Sequence, residues 1–103
     1  MVIYNKAIRD KIPEIIKESG KNCNVKKLDN SEFLIQLEKK LAEELAEYHE
    51  SKNVEELADI LEVIYRISEL KGVVSDELDE IRQKKAEQRG KFDDNLFLVD
   101  SDK

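Results

Sequence analysis

Five carboxylates stand out by their spacing. Glu43-Glu44-Leu45-Ala46-Glu47 is followed by Glu56-Leu57-Ala58-Asp59. Glu44 and Glu47 are three apart, and so are Glu56 and Asp59. On a helix that spacing stacks two side chains on one side, one turn apart. The plainest account is a solvated face laced by ion pairs at i,i+4. Neighbour counting speaks against it. Glu47 has Glu43, Glu44, Glu50 and Ser51 within helical reach, and Asp59 has Glu55, Glu56, Glu62 and Val63. Neither has a basic partner on its own helix. Like charges at this spacing cost an isolated helix about 0.2–0.5 kcal/mol per pair. A hard divalent cation relieves the repulsion by accepting several carboxylate oxygens. Mg²⁺ suits the donor set: it takes oxygen ligands, keeps some waters and is commonly shared with phosphates; Mn²⁺ is an alternative. Glu56 has a second account, as the capping-box glutamate of Asn53.

A complementary basic stripe lies further on. Arg82, Lys85 and Arg89 fall at i, i+3 and i+7. Lys85 has Ile81, Arg82, Gln88 and Arg89 around it, so its charge is not paired locally. One account is a helix C-terminus favouring cations through the macrodipole. The other is a clamp for phosphate oxygens. Lys6, Arg9 and Lys11 either extend that clamp or are ordinary surface charges. An acidic face and an unpaired basic face in one small chain suggest a metal–polyphosphate ligand.

Helices must position these groups. Apolar residues Leu34, Leu37, Leu41, Leu45 and Tyr48 repeat at three and four, which predicts a helix from about Ser31 to Ser51. Asp29, Asn30 or Ser31 can cap it. A second helix follows Asn53 and runs through Leu57, Ile60, Leu61, Ile64, Ile67 and Leu70 to Gly72. Its apolar side is wide enough to be covered on more than one side. The short connection around Lys52 makes the two helices antiparallel neighbours. Glu47 then comes level with Leu57 and Glu44 with Ile60, so both acidic pairs sit at one height. Before this hairpin, Pro13 fits the first turn of a short helix ending at Gly20, and residues 21–28 read as a connector or short edge strand. After it, a last helix runs from a Ser75 cap to Arg89, with Gly90 beyond. The hydrophobes of the tail, Phe92, Leu96, Phe97, Leu98 and Val99, are expected to dock on the body or on a second subunit.

Composition fits an all-α fold, an antiparallel bundle of about four helices in a single domain over residues 1–103. In 103 residues there are only three Gly and one Pro, too few for a turn-rich sheet, while charged residues make up 41%. The net charge of −6 disfavours binding to a nucleic-acid polymer, which rests on neutralised phosphates. No apolar run reaches the roughly 20 residues of a membrane span, and the opening residues lack a secretory-signal pattern. A single cysteine, Cys23, suits a reducing cytoplasm, and a single histidine, His49, excludes a Cys/His metal cluster. With a modest core, helical faces left uncovered point to a homodimer or homotetramer.

The acidic blocks resemble the EExxE…ExxD signature of the all-α nucleoside triphosphate pyrophosphohydrolases. That superfamily includes MazG-like proteins, dimeric dUTPases and phosphoribosyl-ATP pyrophosphohydrolases. Tyr4-Asn5-Lys6-Ala7-Ile8-Arg9-Asp10-Lys11-Ile12-Pro13 resembles the YNKLVRDKIP opening of a MazG-like, phosphoribosyl-ATP-pyrophosphohydrolase-like subgroup. The stretch Glu56 to Ile64 and the segment from Lys85 through Arg89-Gly90 to Phe92 match the same subgroup. The likeness spans about Tyr4 to Phe92. Eight residues separate Glu47 from Glu56, fewer than in many members, and Lys91 stands where a second Gly is common.

The resemblance implies a Mg²⁺-dependent hydrolase working as an oligomer, splitting a nucleoside triphosphate into the monophosphate and pyrophosphate. It implies Glu44, Glu47, Glu56 and Asp59 as metal ligands and Glu43 as an assisting carboxylate or water base. It also implies Lys52, Lys85 and Arg89 as phosphate contacts. Removal of non-standard nucleotides is one expected role. Phosphoribosyl-ATP hydrolysis is an alternative substrate choice. A non-catalytic helical binding or oligomerisation module is the alternative outside enzymes.

Overall fold

Pro13, which has no N–H to lose, stands in the first turn of α1 (Ile12–Glu18). The helix stops short of Gly20. Ser19 ends it, with its hydroxyl donating to the Ile16 carbonyl at 2.6 Å. Residues 21–29 carry no regular structure, and no strand forms among the described residues, which are 2–102 of this computed structural model. The edge strand allowed for residues 21–28 is absent because it has no strand to pair with.

α2 (Asn30–Ser51) begins where Asp29 caps it, its Oδ1 accepting from the Glu32 N–H at 2.8 Å. It ends at Lys52, which turns left-handed at φ 60°. Asn53 is already extended, and α3 (Val54–Leu70) starts at once. Two residues therefore reverse the chain, and α2 and α3 pack against each other along the hairpin. The Asn53 capping box does not form. The Asn53 side chain makes no capping bond, and the Glu56 N–H donates to the Asn53 carbonyl at 3.1 Å instead.

α4 (Ser75–Arg89) has its cap position at Val74, which has no capping side chain; Ser75, expected as the cap, is the first helical residue. Gly90, at φ 81°, ends the helix as expected. The corner between α3 and α4 is fastened by Ser68. Its buried hydroxyl donates to the Val73 carbonyl at 2.6 Å, and its own carbonyl accepts from the Val73 N–H at 3.0 Å.

The four helices do not close into a bundle. α2 packs on α3 and α3 on α4, while α1 packs on no other helix. The cause is visible in the residues. α1 is seven residues long, and α4 offers little beyond Leu78, Ile81 and Ala86 for a partner to bury. The molecule is elongated, 58 × 32 × 25 Å. Leu37 and Ala7 are the buried hydrophobic residues, and no described side chain is completely enclosed. Leu41, Ile60, Val63, Ile64 and Ile67 are half-buried on the inner face of the hairpin. Val54, Leu57, Leu61 and Tyr65 form an outer stripe on α3 that is open to solvent. The tail does not dock on this chain's body: Phe92 is 99% exposed, and Leu96, Phe97, Leu98 and Val99 nearly so. Among the described residues no helix is long and apolar enough to cross a membrane.

Candidate functional site

The hairpin brings the acidic blocks together. Glu44 on α2 meets Glu56 and Asp59 on α3, with carboxylate oxygens of all three within 4.8 Å of one another. A second group within the same distance joins Glu43, Glu44 and Glu47 on α2. Glu44 belongs to both groups and is the hinge of the site. Glu47 reaches the first group only through Glu44 and stays exposed, while Glu56 and Asp59 are half-buried. The expected convergence of four carboxylates thus takes the form of two overlapping triads.

Glu44 is 6% exposed. Its Oε1 lies 3.3 Å from the Lys40 ammonium, one turn earlier on α2. Its Oε2 has no hydrogen-bond partner although it is buried. A buried acceptor left unmade is costly, more so on a charged group. Burial pushes the Glu44 carboxyl above its ordinary value, opposed by the hydrogen bond from Lys40 and reinforced by the neighbouring Glu47. Glu43 goes the other way. The hydrogen bond from Lys6 at 3.2 Å, with help from Lys40, holds its carboxyl below the usual range. Lys40 is itself desolvated, but bonding to Glu44 and attraction to Glu43 outweigh that and raise its pKa.

Two basic residues ahead of α1 reach the same site. Lys6 pairs with Glu43, and the Arg9 guanidinium donates to Asp59 Oδ1 at 2.8 Å. Ala7, between them, is buried. Neighbour counting along one helix misses these partners, since Arg9 and Asp59 are fifty residues apart. Lys40 was within reach of such counting, four residues before Glu44. The balance is still negative: five carboxylates face Lys6, Arg9 and Lys40, an excess of two charges. One divalent cation has the matching charge. All donors are carboxylate oxygens, which suits a hard ion, and the partnerless Glu44 Oε2 is an acceptor such an ion would satisfy. The residues fit Mg²⁺ or Mn²⁺.

The remaining basic residues are distributed differently. Lys52 closes the turn of the hairpin, with its ammonium 5.7 Å from the centre of the Tyr48 ring. Lys11 is exposed at the start of α1. Lys85 and Arg89 are exposed on α4, and neither forms an ion pair with the acidic residues. Arg89 lines a shallow groove with Phe92, Asp93 and Asp94. Arg82, the third member of that stripe, pairs with Asp79 at 2.8 Å on the exposed surface of α4. His49 is exposed beside Tyr48, and Cys23 is an exposed free thiol on the connector. No family model matches the chain, and neither the curated proteins nor the solved structures yield a match.

Proposed function

We propose that the protein is a Mg²⁺-dependent nucleoside triphosphate pyrophosphohydrolase. The supporting observation is the triad Glu44, Glu56 and Asp59, built from both arms of the hairpin, in which the buried Glu44 keeps one carboxylate oxygen without a partner. A scaffold gains nothing from that arrangement. The sequence likeness to the all-α pyrophosphohydrolases gives the reaction class.

Glu44, Glu47, Glu56 and Asp59 would hold the ion, with Mn²⁺ an acceptable substitute. Its contribution is Lewis acidity toward the phosphate oxygens. The chain does the rest. A water oxygen attacks the α-phosphorus, the bond to the α–β bridging oxygen breaks, and pyrophosphate leaves. Glu43 takes the water's proton. Lys6 and Lys40 keep it ionised, which makes it available as a base while weakening its basicity. Lys11, Lys52, Lys85 and Arg89 supply positive charge for the phosphate oxygens. No covalent nucleophile is needed, and Cys23 stands outside the site. The open stripe of α3 and the undocked tail favour a homodimer or homotetramer, which would add walls to the nucleotide pocket.

The test is pyrophosphate release from a panel of nucleoside triphosphates and phosphoribosyl-ATP, with Mg²⁺ and with EDTA. Metal-dependent formation of monophosphate and pyrophosphate is expected. Release of orthophosphate would refute the bond assignment. No turnover of any substrate by folded protein would leave a helical binding module as the better account.

A further inference from the structure

Arg9 and Asp59 are the most distant pair in sequence to share a hydrogen bond in the site, and the bond is short at 2.8 Å. We infer that Arg9 is the resident counter-ion of the metal site: its guanidinium holds Asp59 until a divalent cation takes that carboxylate. This rests on the metal reading above. It assigns Arg9 a role before substrate arrives, as a positioning residue for Asp59 of the triad.

Three observations carry it. Glu44 belongs to the triad, is nine-tenths buried and keeps an Oε2 without a hydrogen-bond partner, so its carboxylate retains acceptor capacity that Arg9 does not fill. Arg9 binds Asp59 through one nitrogen, and both side chains are about half exposed, 56% and 41%. Such a pair is weak and easily exchanged. Finally, α1 packs on no other helix, and the segment carrying Arg9 meets the body through buried Ala7, half-buried Ile8 and the exposed pairs of Lys6 and Arg9. Arg9 takes one oxygen of Asp59, Oδ1, and a hard cation drawing on that oxygen competes with the guanidinium for it. When the cation enters, Arg9 is released beside it, still positively charged and available to an anionic ligand. Arg9 is thus placed both to steady Asp59 in the free protein and to face phosphate in the loaded one.

The experiment uses Mn²⁺ alone, with free ion counted by electron paramagnetic resonance, on the full chain and on Arg9→Gln and Lys6→Gln. Removing any nearby positive charge favours a cation through the general field. Lys6→Gln measures that effect, because Lys6 pairs with Glu43, which belongs to the α2 triad and not to the triad of Glu44, Glu56 and Asp59. Competition predicts that Arg9→Gln binds Mn²⁺ about two- to fivefold tighter, the scale of an exposed ion pair, and Lys6→Gln gains clearly less. Equal gains in both variants, or none in Arg9→Gln, would overturn the competition while leaving the metal site standing. Absence of Mn²⁺ binding in all three proteins would remove the metal reading and this inference together. Circular dichroism confirms folding, and Arg9→Lys gives a second variant that keeps the charge but not the guanidinium.

Discussion

Lys40 and Glu44 stand one turn apart on α2, 3.3 Å between ammonium and carboxylate, and both are largely withdrawn from water. Lys40 also reaches Glu43 at 3.4 Å. One ammonium thus serves two carboxylates, yet Glu44 keeps an oxygen without a partner. The ion pair alone does not complete the site. It lowers the cost of holding Glu44 in a place where a second cation would finish the coordination.

Removing Lys40 should expose that cost. Lys40→Met keeps the aliphatic stem and deletes the charge, leaving Glu44 buried and uncompensated. A loss of about 1–2 kcal/mol is expected in metal-free protein, measured by urea unfolding. Saturating Mg²⁺ should recover part of it, since an ion that binds only the folded state stabilises it. A loss equal with and without Mg²⁺ would mean that the ion does not compensate Glu44 for the missing ammonium.

Glu47→Ala and Asp59→Ala should each abolish hydrolysis and leave helical content unchanged. Neither residue is buried, so the fold does not depend on its packing. Pyrophosphate release with circular dichroism checks both halves. Activity persisting in both variants would remove the acidic triads from the mechanism.

Much of this arrangement is legible in the sequence. The α2/α3 hairpin follows from the three-and-four apolar spacing and the break at Lys52–Asn53, and it brings Glu44 to Glu56 and Asp59 as the equal-height reasoning requires. The helix ends are less legible. Asn53 and Ser75 are good capping types, yet backbone bonds alone begin α3, and Val74 takes the cap position of α4. The partners of Glu43 and Asp59 are not legible at all from local spacing, because Lys6 and Arg9 arrive from a segment with no helical period. Closure of four helices was the expectation that packing denied. α4 is too polar to bury against α2, and the tail's hydrophobes find no surface on their own chain.

Packing gives a contrast within one chain. Leu37 is buried on the inner face of α2, whereas Phe92 projects into solvent. Leu37→Ala should cost about 2–3 kcal/mol, toward the lower end for a core leucine because the surrounding core is open. Phe92→Ala should change the stability of the isolated chain by less than about 0.5 kcal/mol. Thermal unfolding at low protein concentration measures both. A large loss for Phe92→Ala that grows with protein concentration would place the tail in an interface between copies.

Adjacent residues Glu43 and Glu44 should leave opposite signatures in the pH dependence of stability. The Glu44 carboxyl is raised above its ordinary 4.5, chiefly by burial. Its stabilising contribution is therefore complete below pH 4.5 and is lost as pH rises through the folded value. The Glu43 carboxyl is lowered from 4.5, chiefly by the Lys6 hydrogen bond. Its contribution is complete above pH 4.5 and is lost as pH falls through the folded value. Melting temperatures of metal-free protein across pH 3 to 8 separate the two. Relative to the native sequence, Glu44→Gln should gain stability as pH climbs above 4.5, and Glu43→Gln should gain as pH drops below it. Mg²⁺ should erase the upper-limb gain of Glu44→Gln, because the ion stabilises the ionised carboxylate that the variant lacks. Difference curves of the same sign would mean that Lys40 and Lys6 do not divide their charge between the two carboxylates as the distances indicate.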